Sequence, residues 1–160
     1  MIKVETYEAA VEENALDSPL RNIRVHLNGT EATVDLVPSV VLDKPYKTIN
    51  PDLSPDINKV LAGSRPIIEA NIFMRVYFNG ILAIAIQEEF IEIIKILNKD
   101  LKSAPRFSDG RAPYPFLRVV NSEWKCCLPD YQGRGDPNLT YFKIVSMETC
   151  VDILGYIKKN

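Results

Sequence analysis

Over residues 22–37 apolar and polar side chains alternate: Ile23, Val25 and Leu27 against Arg24, His26 and Asn28, with Asn28-Gly29 at the middle. Alternation at period two marks a strand with one buried face, and Asn-Gly supplies the positive-φ residues of a two-residue hairpin turn. The pattern predicts a β-hairpin that pairs Leu27 with Thr30, Val25 with Ala32 and Ile23 with Val34 on one face. His26 with Glu31 and Arg24 with Thr33 then look at solvent. The strongest strand signal lies over 67–87, where Asn79-Gly80 predicts a second hairpin. It pairs Phe78 with Ile81, Val76 with Ala83 and Met74 with Ala85; Tyr77 with Leu82, Arg75 with Ile84 and Phe73 with Ile86 fall on the other face. Both faces are mostly apolar, which places these strands at the centre of a sheet covered on two sides. Ala83 and Ala85 are small enough to let a helix approach closely.

Other stretches repeat at helical spacing. Phe90, Ile93, Ile94, Leu97 and Leu101 predict a helix from Glu88 to about Lys102, with acids at its start and Lys99 and Lys102 at its end. Ser54-Pro55 opens a helix of about two turns carrying Ile57, Val60 and Leu61, closed by Gly63. Ser146 is placed to cap a last helix with Met147, Cys150, Val151, Leu154 and Ile157 on one face. Over residues 1–17, Ala9, Ala10, Val11, Ala15 and Leu16 favour a helix that Ser18-Pro19 stops, with a short strand over 2–4 as the competing reading. Residues 38–54 hold Pro38, Pro45 and Pro51 and read as an irregular crossover. Residues 116–120 and 123–128 suit a third hairpin about Asn121-Ser122, with Val119 opposite Trp124; a short helix after Asn121 is the alternative. Residues 139–145 read as a strand, and 103–115 and 129–138 as loops. Together these elements predict one α+β domain over 1–160. Its sheet has about six or seven strands built from hairpins, antiparallel or mixed, with three or four helices packed mainly on one face.

Composition narrows the chemistry. A chain of 160 residues, 46% hydrophobic and 25% charged, fills a core without a metal or disulfide. A net charge of -2 argues against a dedicated nucleic-acid or membrane-surface binder. The longest uncharged run, 76–87, is too short to span a bilayer, and the first residues have no apolar leader core, so a cytoplasmic setting is expected. Three cysteines fit reduced thiols there. Cys126 and Cys127 are adjacent and lack the spacer of a zinc or redox pair, while Cys150 lies on an apolar stripe. His26 is the one histidine; a nucleophilic pair with Cys126 or Cys127 has no local signature. No glycine-rich phosphate loop, metalloprotease motif or nucleophile elbow occurs, and neither cofactor nor metal is expected. Arg134-Gly135-Asp136 reads as a turn.

Two surfaces remain as candidates. If 116–128 is a hairpin, the loops at its open end bring Arg106, Asp109, Arg111, Tyr114, Asp130, Tyr131, Arg134 and Asp136 to one edge. Tyrosine and arginine are common anchors of protein interfaces, and loops on a rigid scaffold commonly carry function. The second is an acidic helix face of Glu5, Glu8 and Glu12, which a cationic partner would cover. The expectation is a non-catalytic cytosolic protein-binding module, most concretely an inhibitor of the immunity type that sequesters a toxic enzyme. Its partner is another protein, such as a basic toxin or nuclease, and neither nucleic acid nor membrane. The alternative is a small enzyme or small-molecule-binding domain. Its site would lie near Cys126 and Cys127 and the two loops, drawing on His26, Asp109 and Asp130, or in a pocket beside Ala83 and Ala85.

Overall fold

The computed structural model describes residues 6–11, 15–43, 52–62, 64–88, 104–107, 110, 114–126, 128 and 135–158. Their order is β1 (Thr6–Ala9), β2 (Leu20–Asn28), β3 (Glu31–Val41), α1 (Pro55–Ala62), β4 (Ile67–Glu69), β5 (Met74–Glu88), β6 (Phe116–Val120), α2 (Glu123–Cys126), β7 (Thr140–Val145) and β8 (Thr149–Ile157). Seven strands lie side by side as β1-β6-β7-β8-β5-β3-β2, and β4 pairs with the end of β3. Every strand pair is antiparallel. The α+β expectation is therefore corrected: the described chain is mostly one eight-stranded antiparallel sheet, with one eight-residue helix and a single four-residue helical turn. No described helix is long and apolar enough to cross a membrane.

The first hairpin forms as its alternation demands, with the turn one residue later than expected. Asn28 pairs with Glu31, so Gly29 and Thr30 make the bend, and only Gly29 has positive φ (60°). Val25 then faces Val34 and Ile23 faces Leu36. Parity is unchanged, so the buried face survives the slip. β3 continues through Pro38 to Val41, where an irregular crossover was expected. The proline is tolerated because the register shifts there, between Leu20 and Asn22 of β2.

The second Asn-Gly is not a hairpin. β5 is one fifteen-residue strand, and none of the six pairs predicted across Asn79-Gly80 exists. Residues 74–78 pair with β3, and β8 pairs on both sides of a register shift between Asn79 and Ala83. Gly80 uses its φ of 55° to make a bulge, which bends the strand instead of reversing it. The Ile81 N–H released there donates to the Thr30 carbonyl at 2.9 Å.

The last helix is likewise a strand. β8 is the most thoroughly buried element, apolar on both faces, and a short run of that kind does not distinguish strand from helix by period. Thr149, Val151, Ile153, Tyr156 and Ile157 favour the strand, and Gly155 disfavours a helix interior. Ser146 still performs its capping chemistry, its Oγ accepting the Glu148 and Thr149 N–H groups at 3.3 and 3.0 Å, but it closes the β7–β8 turn. Near the start of the chain, β1 replaces the expected helix because Thr6 to Ala9 pair with β6, burying Tyr7. After β6 the weighed alternative holds: Asn121 takes a left-handed φ of 61° and α2 follows, with no third hairpin. α1 forms as read, Ser54 before Pro55, with the Ser54 carbonyl accepting the Asn58 N–H at 3.0 Å. Glu88 ends β5, and the helix expected beyond it lies outside the described residues.

The sheet curls. Phe78 and Phe116 sit on β5 and β6, three strands apart, a separation of about 14 Å in a flat sheet. Their rings lie 6.4 Å apart, both edge-on or tilted to Phe142 at 5.4 and 5.9 Å. The face carrying Val34, Val76, Phe142, Ile144 and Ile153 is therefore concave and forms the core. The curl brings the start of β2 to the β7–β8 turn, where Met147 N–H donates to the Leu20 carbonyl at 2.9 Å and Arg21 pairs with Glu148.

Candidate functional site

Of the predicted interface residues, Arg106, Tyr114, Asp136 and Glu8 are described, each in surroundings of its own. Tyr114 is 1% exposed, its ring 5.5 Å from Phe107, and belongs to the core. Arg106 is exposed, but its guanidinium donates to the Gly110 carbonyl at 3.3 Å and closes its own loop. Asp136 latches a turn: Oδ1 accepts the Asn138 N–H at 2.8 Å and Oδ2 the Tyr156 hydroxyl at 2.9 Å. The Asn138 N–H in the first place, and the Tyr156 hydroxyl after it, hold this carboxyl below the usual range. The same bond pushes the Tyr156 phenol up. Glu8 lies on β1, not on a helix, and pairs across the sheet with Arg118. Asp109, Arg111, Asp130, Tyr131, Arg134, Glu5 and Glu12 lie outside the described residues. His26 is exposed on β2 and Cys150 is fully buried. No group of three potential metal ligands occurs among the described residues.

What the fold does assemble is a cleft of about 430 Å³ between β1, β6, α2 and the segment entering β7. Glu8 and Arg118 form one wall, Ser122 and Lys125 another, and Leu139 and Tyr141 supply apolar surface. The αL turn at Asn121 ends β6 and sets Ser122 and Lys125 three positions apart around α2. Lys125 Nζ donates to the carbonyls of Asp136 and, at 2.8 Å, Leu139. Trp124 stacks on Tyr141, ring centroids 5.0 Å apart and 13° from parallel. Behind Tyr141 lies a buried polar cluster that the sequence pattern did not reveal. Asp152 Oδ1 accepts the Tyr141 hydroxyl and Lys143 Nζ, both at 2.8 Å, and Oδ2 accepts Gln87 Nε2 at 3.1 Å. Lys143 and Asp152 face each other across β7 and β8, so the pair is set by register. This network holds the tyrosine ring in place at the cleft wall. The alternative expectation put a small-molecule site near Cys126, Cys127 and the two loops; the cleft lies in that neighbourhood, with Pro137 of the 129–138 loop and Lys125 among its lining residues.

At the other end of the strand order, β4 and the end of β3 form a two-stranded ribbon. Val40 pairs with Ile68 and Val41 with Ile67, and successive pairs point to opposite faces. All four side chains are exposed, as are Leu42 and Ile72, the latter 76%. The ribbon is apolar on both sides. Its root is held by Glu69, which accepts Asn22 Nδ2 at 2.8 Å and pairs with Arg24 of β2. Sequence reading assigned 38–54 to a crossover and so did not see this surface. Comparison with protein-family models, with curated proteins and with solved structures gives no match, and the functional reading rests on the chain's own residues.

Proposed function

We propose that the protein is a non-catalytic binding module that captures another protein, in its most concrete form an inhibitor of the immunity type that holds a toxic enzyme. One observation carries the reading: the β3–β4 ribbon exposes Val40, Val41, Ile67 and Ile68 together, with Leu42 next to them. Isolated surface leucines and isoleucines need no explanation, but a contiguous apolar group rimmed by charge marks an interaction site. A ribbon apolar on both faces suits a partner that closes around it. The sheet behind it supplies the rigid platform that lowers the ordering cost of association.

The test is affinity capture from the source cell with the wild-type chain and with Val41→Glu/Ile67→Glu, which charges one face of the ribbon. Both substitutions are at exposed positions, and each changes stability by no more than about 0.5 kcal/mol. The expected result is a partner that the wild type retains at high salt and the double variant loses by tenfold or more, its enzymatic activity falling as the complex fills. Equal retention by the two chains, or no salt-resistant partner, overturns the proposal.

A further inference from the structure

We infer that the cleft between β1, β6 and α2 is a binding site for a small organic monocarboxylate. Its volume of about 430 Å³ falls among those of small-molecule sites. Its lining carries two cations and one anion, and the Asp136 carboxylate acts on Lys125 from beyond ion-pair distance. Glu8 and Arg118 neutralise each other, whereas the partners of Lys125 are two uncharged backbone carbonyls. An ammonium has three N–H donors, so one remains for a ligand. One cation without a direct ion pair favours a monoanion over a dianion.

Ser122 supplies the second observation. It is 4% exposed, and its hydroxyl has no hydrogen-bond partner. A buried hydroxyl left unpaired is costly, and such groups in native proteins call for a reason. Ser122 lines the cleft, and turning its hydroxyl to the ligand requires the side chain to rotate about the Cα–Cβ bond. A carboxylate on Lys125 offers the second oxygen that this donor lacks, and Leu139 and the Tyr141 ring accept the apolar remainder of the ligand. No step of chemistry is implied; the site binds.

The molecule carries its own reporter. Trp124 is its one tryptophan and stacks on Tyr141 at the cleft wall. The experiment follows Trp124 emission while butyrate, butyramide or sulfate is added to the intact chain. Butyrate is expected to give a saturable change, with butyramide, which lacks the charge, and sulfate, which doubles it, each binding about tenfold more weakly. Ser122→Ala, which breaks no bond in the fold, is expected to weaken butyrate by about three- to tenfold at unchanged stability. Lys125→Met should abolish the response, but it also frees the Asp136–Leu139 carbonyls, so Ser122→Ala carries the test. Three results each overturn the inference: no saturable response to butyrate, butyramide or sulfate binding as tightly as butyrate, or a Ser122→Ala chain that binds butyrate like the wild type.

Discussion

Asp35 shows how much one side chain can decide. It is 4% exposed on β3 between two arginines that reach solvent, Arg24 of β2 and Arg75 of β5, and Arg75 clamps it with two bonds, at 2.7 and 2.9 Å. Those bonds, working against burial, hold its carboxyl below the ordinary range. The unfolded carboxyl therefore takes up its proton at higher pH than the folded one. The stabilisation is whole above the ordinary value near 4 and is lost as pH falls below it toward the folded value. Asp35→Asn is expected to cost about 1–2 kcal/mol at pH 7, and its urea midpoint should fall less steeply below pH 4 than that of the wild type. A variant with the same acid limb as the wild type would remove Asp35 as the cause. Asp152 makes a harder case, because removing it leaves the Lys143 ammonium buried without its carboxylate. Asp152→Ala is expected to cost about 3–5 kcal/mol, while Lys143→Met/Asp152→Leu, which removes both charges, costs less. Equilibrium denaturation of the two chains decides.

At the scale of elements, the same dipeptide made two different structures. Asn28-Gly29 lies beside a reversal and Asn79-Gly80 lies inside a fifteen-residue strand, although both glycines have positive φ. Local sequence encodes the left-handed glycine; what it serves depends on whether partners exist on both sides. β5 has β3 on one edge and β8 on the other, and no local pattern announces either. Their surroundings predict different costs. A Cβ at Gly29 meets nothing within 4 Å, whereas one at Gly80 would stand 2.9 Å from the Tyr156 ring, which the bond to Asp136 keeps from moving aside. Gly29→Ala is expected to cost about 1 kcal/mol, the αL penalty alone, and Gly80→Ala about 2–3 kcal/mol. Thermal denaturation that ranks them the other way would contradict the bulge. Ser146 teaches the same lesson, since its oxygen serves exposed N–H groups of a hairpin as readily as those of a helix. The first hairpin, α1 and β7 were legible because each is specified within its own dozen residues.

On the scale of the whole molecule, the wiring is long-range. β1 pairs with β6 across more than a hundred residues, and β5 with β8 across about seventy. That is why the sheet order, the curl and the Lys143–Asp152 pair could not be read from periodicity, and why the walls of the cleft, drawn from β1, β6, α2 and β7, could not be named. Among the described residues proposed from the sequence, Glu8 alone lines it, for a reason opposite to the one expected: a strand, not a helix, carries it there. That strand is four residues long and lies at the sheet's outer margin, the place where native chains fray first. Its amide protons should trade for deuterium well before those of β8 at the centre. Any small molecule that settles against Glu8 must slow that trade, so the exchange rate of Tyr7 and Glu8 measures occupancy of the hollow without a view of the occupant.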